Sequence, residues 1–397
     1  MLFAHATLIL PDRLLPDAWL AFSQDRKITG LGTGHPPQDS VTMDLQGNLL
    51  APGFIDLHVH GAMQRDAMEA SHDAFETISA FHASGGTTSL ALTTVAAPIR
   101  HIEAVLDAAR QFPNTHAGSR LLGIHVEGPY FSLEKPGAHA PGLLRAPEDA
   151  AEIAQLLAYS DVITQMTVAP ELKGALPLIK RLDENGIIAS GGHSDAWAEE
   201  AEAAFVHGMR QVTHSYNAMS SARRRGPFRE AGLLEYALSE PEIRCELIAD
   251  GKHVSPTLMR ALYQAKGADG IQLVTDATAG AGLSDGELFS LGSLECIVSD
   301  GVGMTADGQA LAGSTARMID CIKNMVELAG IPLVEAVRMA TLNPALALNQ
   351  DAQIGVLQPG AAADFAIFSP DFHVLQTWSR SRIIFENQVD RGISATR

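Results

Sequence analysis

The chain has 397 residues, 46% of them hydrophobic and 19% charged, which is typical of a folded protein rather than a disordered one. Its formal net charge of −18 argues against an extended nucleic-acid-binding surface, and no apolar run approaches the length of a membrane span. No signal peptide is evident, and the three cysteines are widely spaced. We therefore expect a cytoplasmic protein with free thiols and with neither a nucleic-acid nor a membrane partner.

Apolar, strand-like runs alternate with helical stretches between residues 53 and 344, whereas the two flanks contain only short alternating runs and turns. The predicted strands are 53–60, 87–94, 121–127, 162–169, 186–193, 211–217, 244–250 and 271–277. The predicted helices include 73–84, 98–111, 148–159, 174–185, 196–208 and 255–267. Eight alternating repeats predict an α/β protein with a (β/α)8 TIM barrel over 53–344. Since neither flank can form a robust core alone, we expect residues 1–52 and 345–397 to pair into one small β-sandwich domain.

Residues of the types that bind metals stand at the carboxyl ends of several predicted strands, where barrel enzymes place their reactive groups. They are His58, His60, Glu127, His193, His214 and Asp276. His58 and His60 are two residues apart in a strand, so both side chains project to the same side. Imidazoles with one carboxylate suit Zn²⁺ best and would accept Fe²⁺, Mn²⁺ or Co²⁺.

A bound divalent ion lowers the pKa of water to about 7, and a neighbouring carboxylate can then take the proton and return it to a leaving amine. Asp276 stands where such a base is needed. His125 shares a face with Glu127, and we favour a packed or hydrogen-bonding histidine over a ligand at this position.

Several motifs in order along the chain resemble the amidohydrolase superfamily, and within it the N-acetylglucosamine-6-phosphate deacetylases. They are Pro52-Gly53-Phe54-Ile55-Asp56-x-His58-x-His60-Gly61, His125-x-Glu127-Gly128-Pro129, Gly192-His193-Ser194, Thr213-His214-x-x-Asn217-Ala218-Met219, Ala249-Asp250-Gly251-x-His253, Thr275-Asp276-Ala277, Leu311-Ala312-Gly313-Ser314, Asn343-Pro344-Ala345 and Gly360-x-x-Ala363-Asp364.

The resemblance implies metal-dependent hydrolysis of the acetamide of N-acetyl-D-glucosamine 6-phosphate, with Glu127, His193 and His214 as metal ligands and Asp276 as the catalytic acid and base. It implies one or two ions per subunit, the second held by His58 and His60 and bridged by Glu127. His139 would help to stabilise the oxyanion. The implied substrate contacts are Ala138, His139, Asn217, Ala218, Asp250, Gly251, Lys252, His253, Leu311, Ala312 and Gly313. A homodimer is also implied, with an arginine donated across its interface as one option.

One loop departs from the family pattern, which has a phosphate-binding arginine shortly after Asn-Ala-Met. Counting from Asn217 favours Arg225, whereas matching the motif with an insertion favours Arg229. Arginine forks bind phosphate bidentately, so either residue suits a phosphorylated amino-sugar substrate.

Three other functions stay open. They are deacetylation of the galactosamine epimer, another amidohydrolase reaction on the same scaffold, and a non-catalytic binding relative.

Overall fold

The computed structural model describes residues 1–36, 43–114 and 118–387. The last part of the predicted small domain, residues 388–397, lies outside the described residues. The strands are β1 (Leu2–Ile9), β2 (Leu14–Phe22), β3 (Ile28–Thr33), β4 (Met43–Asp44), β5 (Leu49–Pro52), β6 (Phe54–Val59), β7 (Gly61–Ala62), β8 (Arg65–Asp66), β9 (Thr87–Thr93), β10 (Arg120–Glu127), β11 (Ile163–Val168), β12 (Ile188–Gly191), β13 (Met209–Val212), β14 (Arg223–Arg225), β15 (Phe228–Glu230), β16 (Arg244–Ile248), β17 (Ile271–Val274), β18 (Leu288–Leu291), β19 (Leu294–Ser299), β20 (Val302–Thr305), β21 (Leu311–Ser314), β22 (Phe365–Phe368), β23 (Val374–Ser379) and β24 (Arg382–Glu386). The α-helices are α1 (His72–Ala83), α2 (Ile99–Gln111), α3 (Ala150–Leu157), α4 (Ala175–Glu184), α5 (Ala198–Val206), α6 (Leu233–Ser239), α7 (Pro256–Lys266), α8 (Met318–Glu327), α9 (Leu333–Met339) and α10 (Leu342–Ala347).

Eight parallel strands form the predicted TIM barrel, in the order β17-β16-β13-β12-β11-β10-β9-β6. They are buried almost throughout, as expected when helices cover a parallel sheet. The ring closes through hydrogen bonds beyond the end of β17, where the Asp276 amide donates to the His58 carbonyl oxygen at 2.9 Å and the His60 amide donates to the Ala277 carbonyl oxygen at 2.8 Å.

The six predicted helices are present within two residues of their expected bounds, and local signals explain where they begin. The Ser71 hydroxyl accepts the Ala74 amide before α1, and the Asp149 carboxylate accepts the Glu152 amide before α3. Pro256 opens α7, where its missing N–H costs no hydrogen bond. None of the helices in the described ranges is long and apolar enough to cross a membrane.

Strands from both ends of the chain join one sheet in the order β24-β23-β22-β5-β1-β2-β3, with β4 paired to β1. In this order β2 and β23 are four strand spacings apart, about 19 Å on a flat sheet. The rings of Phe22 and Trp378, on these two strands, nevertheless have centroids only 5.7 Å apart. The sheet therefore folds over on itself around a core of its own, as the predicted β-sandwich requires.

A four-stranded antiparallel sheet, β18 to β21, follows the last barrel strand and is absent from the sequence-based prediction, which expected only inserted loops. Its strands are short, with alternating burial such as that of Leu288 to Leu291. Leu291 and Leu311 from this sheet line the cavity at the mouth of the barrel.

Candidate metal centre and active site

The candidate ligands are brought together by the carboxyl ends of five barrel strands. His58 lies within β6 and Glu127 is the last residue of β10. His193, His214 and Asp276 each lie two residues beyond a strand end, with φ angles of 46°, 30° and 50°. This left-handed conformation is uncommon outside glycine and turns the chain sharply at the barrel mouth.

One cluster of ligand atoms is formed by the two histidines of the first strand with two carboxylates. His60 Nε2 lies 3.1 Å from Glu127 Oε2 and 3.2 Å from Asp276 Oδ1. His58 Nε2 lies 3.3 Å from Asp276 Oδ1 and 3.3 Å from His60 Nε2. All four side chains are nearly excluded from solvent.

A second cluster uses the other oxygen of Glu127. Glu127 Oε1 lies 3.1 Å from His214 Nε2 and 3.3 Å from His193 Nε2, and these two nitrogens are 3.1 Å apart. His193 Nδ1 lies 3.0 Å from the Lys135 carbonyl oxygen, so it is the nitrogen that carries a proton and Nε2 keeps its lone pair. Glu127 therefore bridges two clusters of nitrogen and oxygen donors.

The field at this centre favours positive charge. Burial opposes charge on His60, but hydrogen bonds to Asp276 and Glu127 outweigh it and raise the pKa of His60 to about 9. Burial would likewise raise the pKa of Asp276, yet the nearby charge of His58 and the hydrogen bond from His60 hold that pKa below its ordinary value. Asp276 is thus an ionised carboxylate that can accept a proton.

His139 is a neutral imidazole whose proton position is fixed by the backbone. Burial, reinforced by His193, lowers the pKa of His139 to about 3. The Ala96 amide donates to His139 Nδ1 at 3.2 Å, so the single proton of the neutral ring is on Nε2. His139 Nε2 lies 3.7 Å from Glu127 Oε2, and Glu127, His139 and His193 form a trio of ligand-type atoms. With its proton on Nε2, however, His139 is a hydrogen-bond donor and not a ligand.

A cavity of about 380 Å³ opens above the two clusters, and most of the predicted substrate contacts line it. The predicted residues on its wall are Ala138, His139, Asn217, Ala218, His253, Leu311 and Gly313. Asp250 is not on the wall, but its carboxylate holds His253 Nδ1 at 2.6 Å and accepts the His253 amide at 2.8 Å.

The other predicted contacts lie away from the described cavity wall. Gly251 follows Asp250 in the turn, Ala312 is fully buried behind the wall, and Lys252 Nζ pairs with Asp300 at 2.5 Å.

The two candidate phosphate-binding arginines also do not reach the described wall of this cavity. Arg225 and Arg229 are exposed on the hairpin of β14 and β15. Arg225 Nη1 pairs with Glu199 at 2.5 Å, and its guanidinium carbon lies 4.0 Å from the centre of the Trp197 ring. Phe228, at the turn of the same hairpin, is 67% exposed.

Sequence reasoning missed several residues of the site. Glu134, Lys135, Pro136 and Gly137 line the cavity just before the predicted Ala138, and their Gly/Pro-rich loop was the available signal. Glu246, a fully buried carboxylate within β16, lies 3.2 Å from His58 Nδ1, and only its polarity within an apolar run marked it.

His125 has the hydrogen-bonding surroundings expected of a packed histidine. His125 Nε2 lies 2.7 Å from the Thr167 hydroxyl, and burial together with the charge of His58 holds the pKa of His125 well below its ordinary value.

Comparison with known proteins gives consistent matches over most of the chain. Residues 49–392 match the model of the amidohydrolase family. The chain is 36% identical over 339 residues to an N-acetylglucosamine-6-phosphate deacetylase of Vibrio furnissii, covering 85% of this chain and 83% of that protein. It is also 36% identical over 372 residues to an N-acetylgalactosamine-6-phosphate deacetylase of Escherichia coli O157:H7, covering 93% and 97%. The crystal structure of N-acetylglucosamine-6-phosphate deacetylase from Pasteurella multocida superposes with a TM-score of 0.90 at 32% identity, covering 97% of this chain and 99% of that one.

Proposed function

Because the chain belongs to the amidohydrolase family, we propose that it hydrolyses the acetamide of N-acetyl-D-glucosamine 6-phosphate to D-glucosamine 6-phosphate and acetate. The observation that carries this proposal is the Glu127-bridged pair of donor clusters at the floor of a cavity lined by the residues that the resemblance implies. Retention of every ligand position argues against a non-catalytic relative.

The donor set fits a divalent metal ion. Within each cluster, imidazole Nε2 atoms approach one another to 3.1–3.3 Å beside carboxylate oxygens, an arrangement that a shared cation stabilises. We assign Glu127, His193 and His214 to one ion, and His58, His60 and Glu127 to a second. Zn²⁺ suits imidazole and carboxylate ligands best, with Fe²⁺, Mn²⁺ or Co²⁺ as alternatives.

A divalent ion held here supplies Lewis acidity, which polarises a carbonyl group and makes a water molecule more acidic. The Asp276 carboxylate takes the proton of the attacking water and passes it to the departing sugar nitrogen. The Nε2–H of His139 donates to the acetamide oxygen as negative charge develops on it. The burial of these groups excludes bulk water, which strengthens both interactions.

We propose that substrate phosphate is bound with the help of the β14–β15 hairpin of a second subunit. The hairpin projects three exposed arginines, Arg224, Arg225 and Arg229, and the exposed Phe228. Lys135 is the lysine on the described cavity wall. In a homodimer, Arg225 or Arg229 would then bind phosphate across the interface. Arg229→Ala and Arg225→Ala should separate these candidates by their effect on KM, and sedimentation should show a dimer.

Deacetylation of N-acetylgalactosamine 6-phosphate is a second candidate, because the similar Escherichia coli protein bears that name. The deciding experiment measures acetate release from both N-acetylhexosamine 6-phosphates and from unphosphorylated N-acetylglucosamine, with metal-stripped and zinc-restored enzyme. We expect metal-dependent release and a preference for the phosphorylated gluco substrate. A preference for the galacto epimer would assign the second function, and equal rates with the unphosphorylated sugar would reject a phosphate site.

We further propose that residues 53–344 act as the catalytic barrel domain and that residues 1–52 and 345–397 form the small domain. The three cysteines of the described chain are free and buried, which supports a reducing cytoplasmic location.

A further inference from the structure

We propose that Glu246 is a positioning residue that fixes the proton of His58 on Nδ1 and so directs the Nε2 lone pair of His58 to the second metal ion. This inference rests on the proposed two-ion centre. Glu246 lies in the middle of β16 inside the barrel and is fully buried. It lies below the ligands and does not line the cavity that admits substrate.

The argument begins with Gln165, whose orientation is fixed by a backbone carbonyl. Gln165 Nε2 lies 3.1 Å from the Leu57 carbonyl oxygen, which can only accept, so this atom is the amide nitrogen. Gln165 Oε1 must then accept from Gln211 Nε2, 2.9 Å away. Both amide groups are therefore oriented by the barrel.

These fixed amides make one oxygen of Glu246 an acceptor. Glu246 Oε1 lies 2.9 Å from Gln165 Nε2 and 2.8 Å from Gln211 Nε2, and both nitrogens are donors. Glu246 Oε2 accepts the backbone N–H of His214 at 3.3 Å. Both oxygens thus act as acceptors, as the oxygens of a carboxylate do.

The remaining contact of Oε2 sets the tautomer of His58. The Nδ1 atom of His58 lies 3.2 Å from Glu246 Oε2, and opposite a carboxylate oxygen this nitrogen supplies the proton. The Nε2 of His58 is then free to coordinate, and it points at His60 Nε2 and Asp276 Oδ1, each 3.3 Å away. His60 has no such anchor among the described residues, because its Nδ1 is buried without a partner. Glu246 therefore supports the first-strand site through His58 alone.

The decisive variant is Glu246→Gln, which keeps the volume and replaces one acceptor by an NH2 group. With the NH2 facing Gln165 and Gln211, two donors would lose their acceptor. With the NH2 facing His58, it would donate to Nδ1 and move the ring proton to Nε2, into the metal position. The second orientation leaves only the His214 N–H without its acceptor, against two side-chain donors in the first. We therefore expect the second orientation and weaker binding of the ion held by His58.

The experiment counts bound zinc per subunit by mass spectrometry and measures zinc affinity by competition with a chelator. We expect two ions in the wild type and a second ion bound about 10–100-fold more weakly in Glu246→Gln. The first ion should be weakened much less, because its ligand His214 loses only a backbone hydrogen bond. The matched control is Gln272→Met, because Gln272 is equally buried and bonds Gln211 at 3.5 Å without touching His58. It should leave both affinities unchanged.

Three outcomes would overturn the proposal. They are wild-type affinity for both ions in Glu246→Gln, the same loss of affinity for both ions, or a single bound ion in the wild type. If the variant fails to fold, ¹⁵N-histidine NMR of zinc-loaded wild type supplies the test, with His58 assigned through His58→Asn. The proton should be on Nδ1, and coordination through Nδ1 would refute the inference. Because these readouts are independent of acetate release, an inactive enzyme with the expected metal counts would reject only the proposed function.

Discussion

Replacing Asp276 by asparagine should separate proton transfer from metal binding. The two side chains have nearly the same shape, and the asparagine oxygen can occupy the place of Oδ1, 3.2 Å from His60 Nε2. The variant loses the basic carboxylate. In the proposed mechanism this one carboxylate takes a proton from the water and gives it to the leaving nitrogen. A general acid–base group contributes about 10²–10⁴-fold, and its double use places the expected loss near the upper end, about 10³–10⁴-fold in kcat. That loss corresponds to about 4–5.5 kcal/mol of activation free energy.

The assay is acetate release at saturating substrate, with zinc counted on the same sample. Asp364→Asn is the matched control, because Asp364 is also a buried carboxylate but lies just before β22 and pairs at 3.2 Å with Arg120 at the start of β10. It should turn over normally and unfold at a lower temperature. Turnover by Asp276→Asn within tenfold of the wild type, with zinc retained, would refute the assigned role.

Three further changes test other parts of the site. His139→Phe keeps an aromatic ring, slightly larger than imidazole, but removes the Nε2–H donor, so kcat should fall about 10²–10³-fold while the zinc count is unchanged. Loss of zinc would instead identify His139 as a ligand. Gly137 has a φ of +55°, and an added Cβ would lie 2.8 Å from Cε1 of His193, so Gly137→Ala should weaken zinc binding about 10–100-fold in chelator competition. Gly142→Ala, with nothing within 4 Å of the added Cβ, should not, and equal effects of the two substitutions would contradict the steric argument. Removing the metal with a chelator should abolish turnover, and activity of the stripped enzyme would contradict metal dependence. At zinc concentrations about 1,000 times Kd, the bound ion should stabilise the fold by about 4 kcal/mol, which a higher Tm would show.

The barrel could be predicted because its strands and helices have different hydrophobic periods and alternate eight times. The ends of the strands were less accurate. Three predicted strands ended too late, at residues 193, 217 and 277. In the structure these strands end at Gly191, Val212 and Val274. The sequence marks no stop at these points, because the left-handed turns are formed by His193, His214 and Asp276 rather than by glycine.

The site was predictable where a motif carries the chemistry and unpredictable where three-dimensional packing decides it. The two donor clusters contain the six residues expected from strand ends. Glu246 was not expected, since its meaning depends on Gln165 and Gln211 from two other strands. The position of Arg225 and Arg229 on an exposed hairpin also could not be deduced, because a short insertion gives no indication of its direction.

The hydrogen bonds that close the barrel also hold Asp276, the residue that we propose transfers the proton. The first and last strands join through the amide of Asp276 and the carbonyl oxygen of His58, so under the proposed mechanism the same bond closes the ring and positions the acid–base group. Mutations that loosen this joint should therefore impair turnover before the protein melts. On heating, activity should likewise be lost before the circular dichroism signal of the helices. Substitutions that change the substrate range should be better tolerated on the loops at the barrel mouth than at this joint.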